Sequence, residues 1–471
     1  MVLMSILTGV ITEAPGQYLL GQFFLGLSVY FSLWLLADRP LLNPVQAVVA
    51  LFYWWFGIGP TIVGIFRALA DLSDDALYAQ VSGMEGLWVV ALGLPLYAFV
   101  ARNSLVWLSK ITSGLIFLRP SGNNYKLRTV ITFFICGALA EIIIKILEKM
   151  DISGQEPLNY LGGTITIIWW IGAIAGIGGV LTFGKSAILS AIAQPWRQTS
   201  IVMKILGMVV LLISLSTGLT SGWKGSLVFA GLYIVVAYIS RYQRIPWKWM
   251  AIGFFAYLFF VEPFTTAGRQ IAESLQIQTP EERTNLFRQL ITEGKLTQQR
   301  SWKEINIESP FRGIYQLAGE ITRRNGLFDG EWQGYTIIWG LSALIPRVFY
   351  PEKPMLNVGN FFALTIGADL GLVSSGDYVT NISVSMPFEI VGNFGWLAGI
   401  LSFGLIGAFW ALFCVLLLSP RRLADHPLTP WLVGFAFGFE GAVGHFLAGL
   451  RSLIIPLAVT FMIWVFLRKK L

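Results

Sequence analysis

The chain has 471 residues, of which 55% are hydrophobic, 14% aromatic and only 13% charged, with a formal net charge of +7. Soluble domains average about 25% charged residues, so most of this chain does not face water, and a soluble globular fold is excluded. The surplus cations fall mostly in short segments between apolar runs, where they orient helices, and no nucleic-acid partner is expected.

Apolar runs long enough to cross a bilayer recur along the whole chain. In chain order they cover 18–37, 44–66, 86–106, 128–147, 161–183, 202–219, 226–240, 248–263, 391–418, 428–447 and 452–467. The expected fold is therefore an all-α polytopic membrane protein of about 11 transmembrane helices. The opening MVLMSILTGVITEAPG has no positive n-region and no small-residue cleavage site, so it is not read as a signal peptide. Cys136 and Cys414 both lie inside apolar runs, and His426 and His445 stand apart from them. Neither a structural disulfide nor a metal site follows from this spacing, and no Walker A or G-x-S-x-G pattern is present.

Five linkers carry the cations: 102–128, 184–204, SRYQRIPWK, SPRR and the C-terminal RKK. Placed on one side, they fit the alternation of the spans, which makes that side cytoplasmic, the N-terminus outside and the C-terminus inside. The chain then divides into a first membrane bundle (1–263), a large extracytoplasmic segment (264–390) and C-terminal membrane helices (391–471). Within the large segment, 264–333 reads as soluble helix, with Thr279-Pro280 as a start signal followed by Glu281 and Glu282. The stretch YTIIWGLSALIPRVFYPEKP is apolar but interrupted, and reads as a half-span or a membrane-surface segment.

Cations on the outer side run against the positive-inside bias. Lys224, Arg269, Arg347, Lys353 and Arg451 each fall near a span end on that side. A bundle that gathers them offers a diphosphate both the planar donors of arginine and the point charge of lysine. Each also has a plainer role, snorkelling to headgroups. Arg323 and Arg324 in ITRRNG read as a solvated face. Outer-side acids and bases that can take a proton are Glu320, Asp369, Asp377, Glu389 and His445, and Glu440 joins them as an ionisable residue in a span. Glu389 also suits the N-terminal turn of its helix. Glu141 and Lys145, four apart on one span, read as a neutralising pair.

Three stretches resemble a known family. LSTGLTSGWKGSLVFAGLYIVVAY resembles the T-x-S-R-G-type motif of bacterial O-antigen and exopolysaccharide repeat-unit polymerases (Wzy-type), with Lys224 where that family usually has arginine. LIPRVFYPEKP resembles their P-R-x-x-x-P-x-K-P stretch, and MPFEIVGNFG their E-x-x-x-N-F-G segment. The likeness covers roughly residues 205–420. It implies a fold of the glycosyltransferase C type, shared with O-antigen ligases, and a metal-independent glycosyltransferase without a cofactor. The implied substrate is a polyprenyl-diphosphate-linked oligosaccharide, used on the outer face of a bacterial plasma (inner) membrane, with a flippase and a chain-length regulator as partners beside membrane lipid. It carries diphosphate binding onto Arg347, and more loosely onto Arg269; Lys224, Lys353 and Arg451 complete the expected set. The catalytic base stays open between His445, Glu389 and Glu440. A lipid-linked glycan flippase or transporter, and a ligase-like glycan transferase, stand beside the polymerase as alternatives.

Overall fold

The structure, a computed structural model, describes residues 16–37, 43–69, 83–111, 185, 188–193, 201–221, 225–257, 285, 289, 314–342, 345, 350, 358–370, 382–417 and 429–447. These residues are mostly helical, and no strand occurs among them. The predicted spans 128–147, 161–183 and 452–467 lie outside the described residues.

Among the described residues, four helical stretches are long and apolar enough to cross a bilayer: Gly16–Leu35, Pro44–Ile65, Met84–Lys110 and Trp396–Leu416. The first is α1 (Gly16–Leu35). One face is buried, with Tyr18, Gln22, Leu25 and Ser32 turned inward, while Phe23, Leu27, Tyr30 and Trp34 are exposed. A helix that leaves such side chains uncovered on one face, in a chain this apolar, suits a lipid environment. These helices make the protein membrane-associated.

The second span starts at α2 (Pro44–Tyr53). Asn43 caps it: its Oδ1 accepts from the Val45 and Gln46 amides at 2.9 and 2.8 Å. Gln46 returns the contact by accepting from the Asn43 amide, a reciprocal box that satisfies orphan donors of the first turn. A π-helical turn at Trp54–Ile58 then joins α2 to α3 (Gly59–Leu69). The buried Gln22 amide of α1 donates to the Phe56 carbonyl in this turn at 2.9 Å.

The third span, α4 (Met84–Ile111), is the central post. It packs on α1 and on α12 (Trp396–Leu417). Small residues set the spacing: a Cβ on Gly93 would fall 2.2 Å from Phe403, and one on Gly407 2.6 Å from the Tyr97 carbonyl. Close backbone approach through small residues is how helices gain contact where lipid offers no hydrophobic drive. Further helices are α5 (Ile201–Ser221), α6 (Gly225–Tyr242) and α7 (Trp247–Ala256). A second group of buried side chains joins α5 and α6, including Met203, Val210 and Tyr233.

The remaining elements cover the bundle end at which α4 and α12 begin. They are α8 (Ile314–Arg324), α9 (Tyr335–Leu341), α10 (Val358–Phe362) with a π-helical turn at Ala363–Gly367, and α11 (Met386–Phe394). Helix α8 is not the free-standing soluble helix that 264–333 suggests. Ile314, Leu317, Ala318 and Ile321 are fully buried, and Gly83 and Gly86 at the start of α4 meet Tyr315 and Ala318 at backbone distance.

The predicted span 391–418 is interrupted. Helices α11 and α12 meet at Gly395, where φ is 84° and ψ is 177°, a conformation that essentially only glycine adopts. The interruption is occupied by the loop after α8. The amides of Trp396 and Leu397 donate to the Gly326 and Leu327 carbonyls at 3.0 and 3.1 Å. Trp396 Nε1 donates to the Thr322 carbonyl at 2.8 Å, and the Trp332 amide to the Gly392 carbonyl at 2.8 Å. The predicted span 428–447 is likewise broken, into α13 (Thr429–Ala436), a 3-10 turn at Phe437–Glu440 and a helical stretch described over 443–447.

Replacing Gly395 by alanine forces an L-residue into a glycine-only region, with its Cβ 2.7 Å from the Gly326 carbonyl. The expected loss is about 1–3 kcal/mol, read as a lower apparent melting temperature of the solubilised protein. Gly231→Ala, on a face of α6 where a Cβ meets nothing within 4 Å, is the control. It is expected to be neutral or to stabilise by up to about 1 kcal/mol.

Candidate functional site

Helix α11 carries a polar stripe through an apolar region. Glu389 and Asn393, four residues apart, share one face, Ser385 stands at the N-cap of the helix, and Ser385, Glu389 and Asn393 are 0%, 0% and 2% exposed. Helix α9 supplies Thr336, also fully buried. Asn393 Nδ2 donates to Thr336 Oγ1 at 2.7 Å and to the Glu389 carbonyl at 2.6 Å. Glu389 Oε2 accepts from the Val443 amide, two residues before His445. The Ser385 amide donates to the Glu440 carbonyl at 2.9 Å. Three separate parts of the chain are thereby tied at one place: α9, α11 and the broken region 437–447.

The site holds strain and unused polar capacity. Ser385 has φ 61°, in the left-handed half of the map. Ser385 Oγ, Glu389 Oε1, Asn393 Oδ1 and Trp339 Nε1 are buried without a hydrogen-bond partner among the described residues. Orphaned buried polar groups are uncommon in folded proteins, and strained residues persist where the surroundings over-determine them. Both concentrate at sites that do something.

Glu389 precedes the span Trp396–Leu416. Burial pushes its carboxyl up to about 7, against the opposing pull of the Val443 amide and the Thr336 hydroxyl. Thr336 stands near enough to favour the charged form, and its hydroxyl, which accepts from Asn393, keeps its own proton to donate.

A second polar group lies on α8. Arg323 donates to both carboxylate oxygens of Glu320, at 2.9 and 2.7 Å. Arg324 donates to Glu320 at 2.7 Å and to Asp369 at 2.6 Å. The hydrogen bond from Arg323 leads the effects that hold the Glu320 carboxyl below its ordinary value. Arg323 is exposed, as a solvated face requires, but the Arg324 side chain is 24% exposed and clamped between two carboxylates. Its charge is spent within the fold.

Of the other residues named from the sequence, Glu440 is 6% exposed in the 3-10 turn, and His445 is exposed on the 443–447 helix. Lys224, Arg269, Arg347, Lys353, Arg451, Asp377, Glu141 and Lys145 lie outside the described residues. Ser385, Thr336, Trp339 and Asn393 are additions from the structure. Asn393 alone had a signal in the chain, a second polar residue one helical turn after Glu389 in an apolar run. Among the described residues no three of His, Cys, Asp and Glu stand together as a metal-ligand set. Compared with family models, curated proteins and solved structures, the chain matches none.

The raised Glu389 carboxyl sets the sign of a pH effect. The folded state binds this proton more tightly than the unfolded chain, so the associated stability is present in acid and is lost as pH rises through about 7. Thermal unfolding in detergent is expected to show that fall for the native protein, and Glu389→Gln to flatten it. Glu320, shifted the other way, acts in the acid range: its stabilisation is lost as pH falls, and Glu320→Gln removes that loss.

Proposed function

We propose that this protein is a glycan polymerase that moves a growing chain from a polyprenyl-diphosphate carrier onto a lipid-linked repeat unit. The membrane helices and the three family-like stretches support the reading. The observation that carries it is the tie between Glu389, in the E-x-x-x-N-F-G stretch, and Val443, beside His445. A segment picked out by its resemblance coincides with the buried, strained polar junction of the described fold.

In the reaction, the acceptor hydroxyl oxygen forms a bond to the anomeric carbon of the donor. The bond from that carbon to the bridging phosphate oxygen breaks, the hydroxyl proton passes to a base, and the carrier leaves as its diphosphate. The task of the protein is to orient the two lipid-linked chains and to meet the charge that grows on the leaving group. Arg347, Arg269, Lys353, Lys224 and Arg451 are assigned that charge. The base is assigned to His445, whose side chain is exposed, whereas those of Glu389 and Glu440 are buried. Glu389 then acts as a positioning residue, holding the start of the helix that bears the base.

Arg347→Ala and Arg269→Ala are expected to abolish polymer while single repeat units accumulate and membrane insertion stays intact. Chain lengths unchanged in both variants would remove the assignment. His445→Gln is expected to lose most of the turnover by purified protein given a lipid-linked repeat unit with chelator present. Glu389→Gln, whose amide oxygen still accepts from Val443, is expected to keep far more turnover than Glu389→Leu. Movement of labelled lipid-linked sugar across proteoliposomes without elongation would favour a transporter instead.

A further inference from the structure

The loop between α8 and α9 turns large apolar side chains outward. Phe328 is 74% exposed and Leu327 51%. The loop is held in place: Asn325 donates to the Ile321 carbonyl and accepts from the Glu331 amide, each at 2.6 Å, and the Gly326 amide donates to the Asp329 carbonyl at 3.0 Å. The backbone that presents Leu327 and Phe328 is the same backbone that accepts from the first amides of α12. The exposed tip therefore adjoins the exposed face of that span, whose side chains include Leu397, Leu401 and Leu405, with Phe394 at the end of α11 beside it.

We propose that the 326–329 loop is a lipid-inserted tip, with Leu327 and Phe328 in the acyl region of the leaflet that meets the N-terminal end of α12. Three features select lipid as the occupant. The tip continues a face of α12 that runs the length of a membrane span. Its shoulders are charged and exposed, with Arg323 on one side and Asp329 and Glu331 on the other, and both signs suit a headgroup layer. Two side chains offer far less area than the roughly 800 Å² per partner of a stable protein interface. Apolar faces of interfacial segments reach about 5–10 Å below the headgroups, so the tip fixes the depth at which the Gly395 break, Glu389 and His445 stand. The inference is independent of the reaction proposed above.

The test uses the full chain in phosphatidylcholine vesicles. Phe328→Cys and Arg323→Cys, each with Cys136 and Cys414 replaced by alanine, carry an environment-sensitive fluorophore. At position 328 a phospholipid spin-labelled in its acyl chain is expected to quench several-fold more than aqueous iodide, and at 323 the order reverses. Equal iodide quenching at both positions overturns the proposal. So does shielding of 328 from both quenchers, which means that a protein surface covers it. Should the variants not fold, a lipid-soluble carbene reagent applied to the unsubstituted protein gives the same answer: label within 325–334 is expected, and its absence overturns the proposal.

Discussion

The described fold turns on a glycine. An uninterrupted helix from 386 to 417 would leave no free amides at 396 and 397 and no seat for the loop after α8. Because Gly395 takes a backbone conformation closed to other residues, the helix stops and restarts. The restarted helix needs acceptors for its first amides, and the carbonyls of Gly326 and Leu327 supply them. Close packing follows: Gly330 lies against the Asn393 backbone, and Gly392 against the Trp332 ring. One break in a span thus recruits α8 and α9 to the end of the bundle.

That recruitment creates the polar junction. With α9 against α11, Thr336 reaches Asn393 and Gly340 meets Gly444 backbone to backbone. Glu389 takes the Val443 amide, an otherwise orphaned donor at the start of a helical stretch. A carboxyl so buried holds its proton near neutrality, and in that state it can both donate and accept. Around it the aromatic core of this end closes: Phe56 stacks on Phe388 at 5.3 Å and meets Tyr315 edge-on at 5.8 Å.

Helix existence was legible in the sequence where apolar runs are uniform: the spans read at 18–37, 44–66 and 86–106 correspond to α1, the α2–α3 stretch and α4. The break at Gly395 was not legible, since one glycine inside an apolar run is common in membrane helices and carries no punctuation of its own. The same holds for 428–447, where Gly441 falls between the 3-10 turn and the helical stretch at 443–447. The burial of α8 was hidden because its partners lie far along the chain, at Gly83, Gly86 and Phe56. Arg324 was misjudged as solvated for a related reason: its second carboxylate, Asp369, is 45 residues away. Glu389 was visible as an ionisable residue in an apolar setting, but its bond to Val443 spans 54 residues and has no local signal.

The Glu389 carboxyl holds the 443–447 helical stretch against α11. Hydrogen–deuterium exchange on the protein in lipid nanodiscs tests it most directly, comparing the native chain with Glu389→Leu. Faster exchange is expected in the variant over 442–447, with the amides of Trp396 and Leu397 still protected by the loop. Unchanged exchange at 442–447 would contradict it.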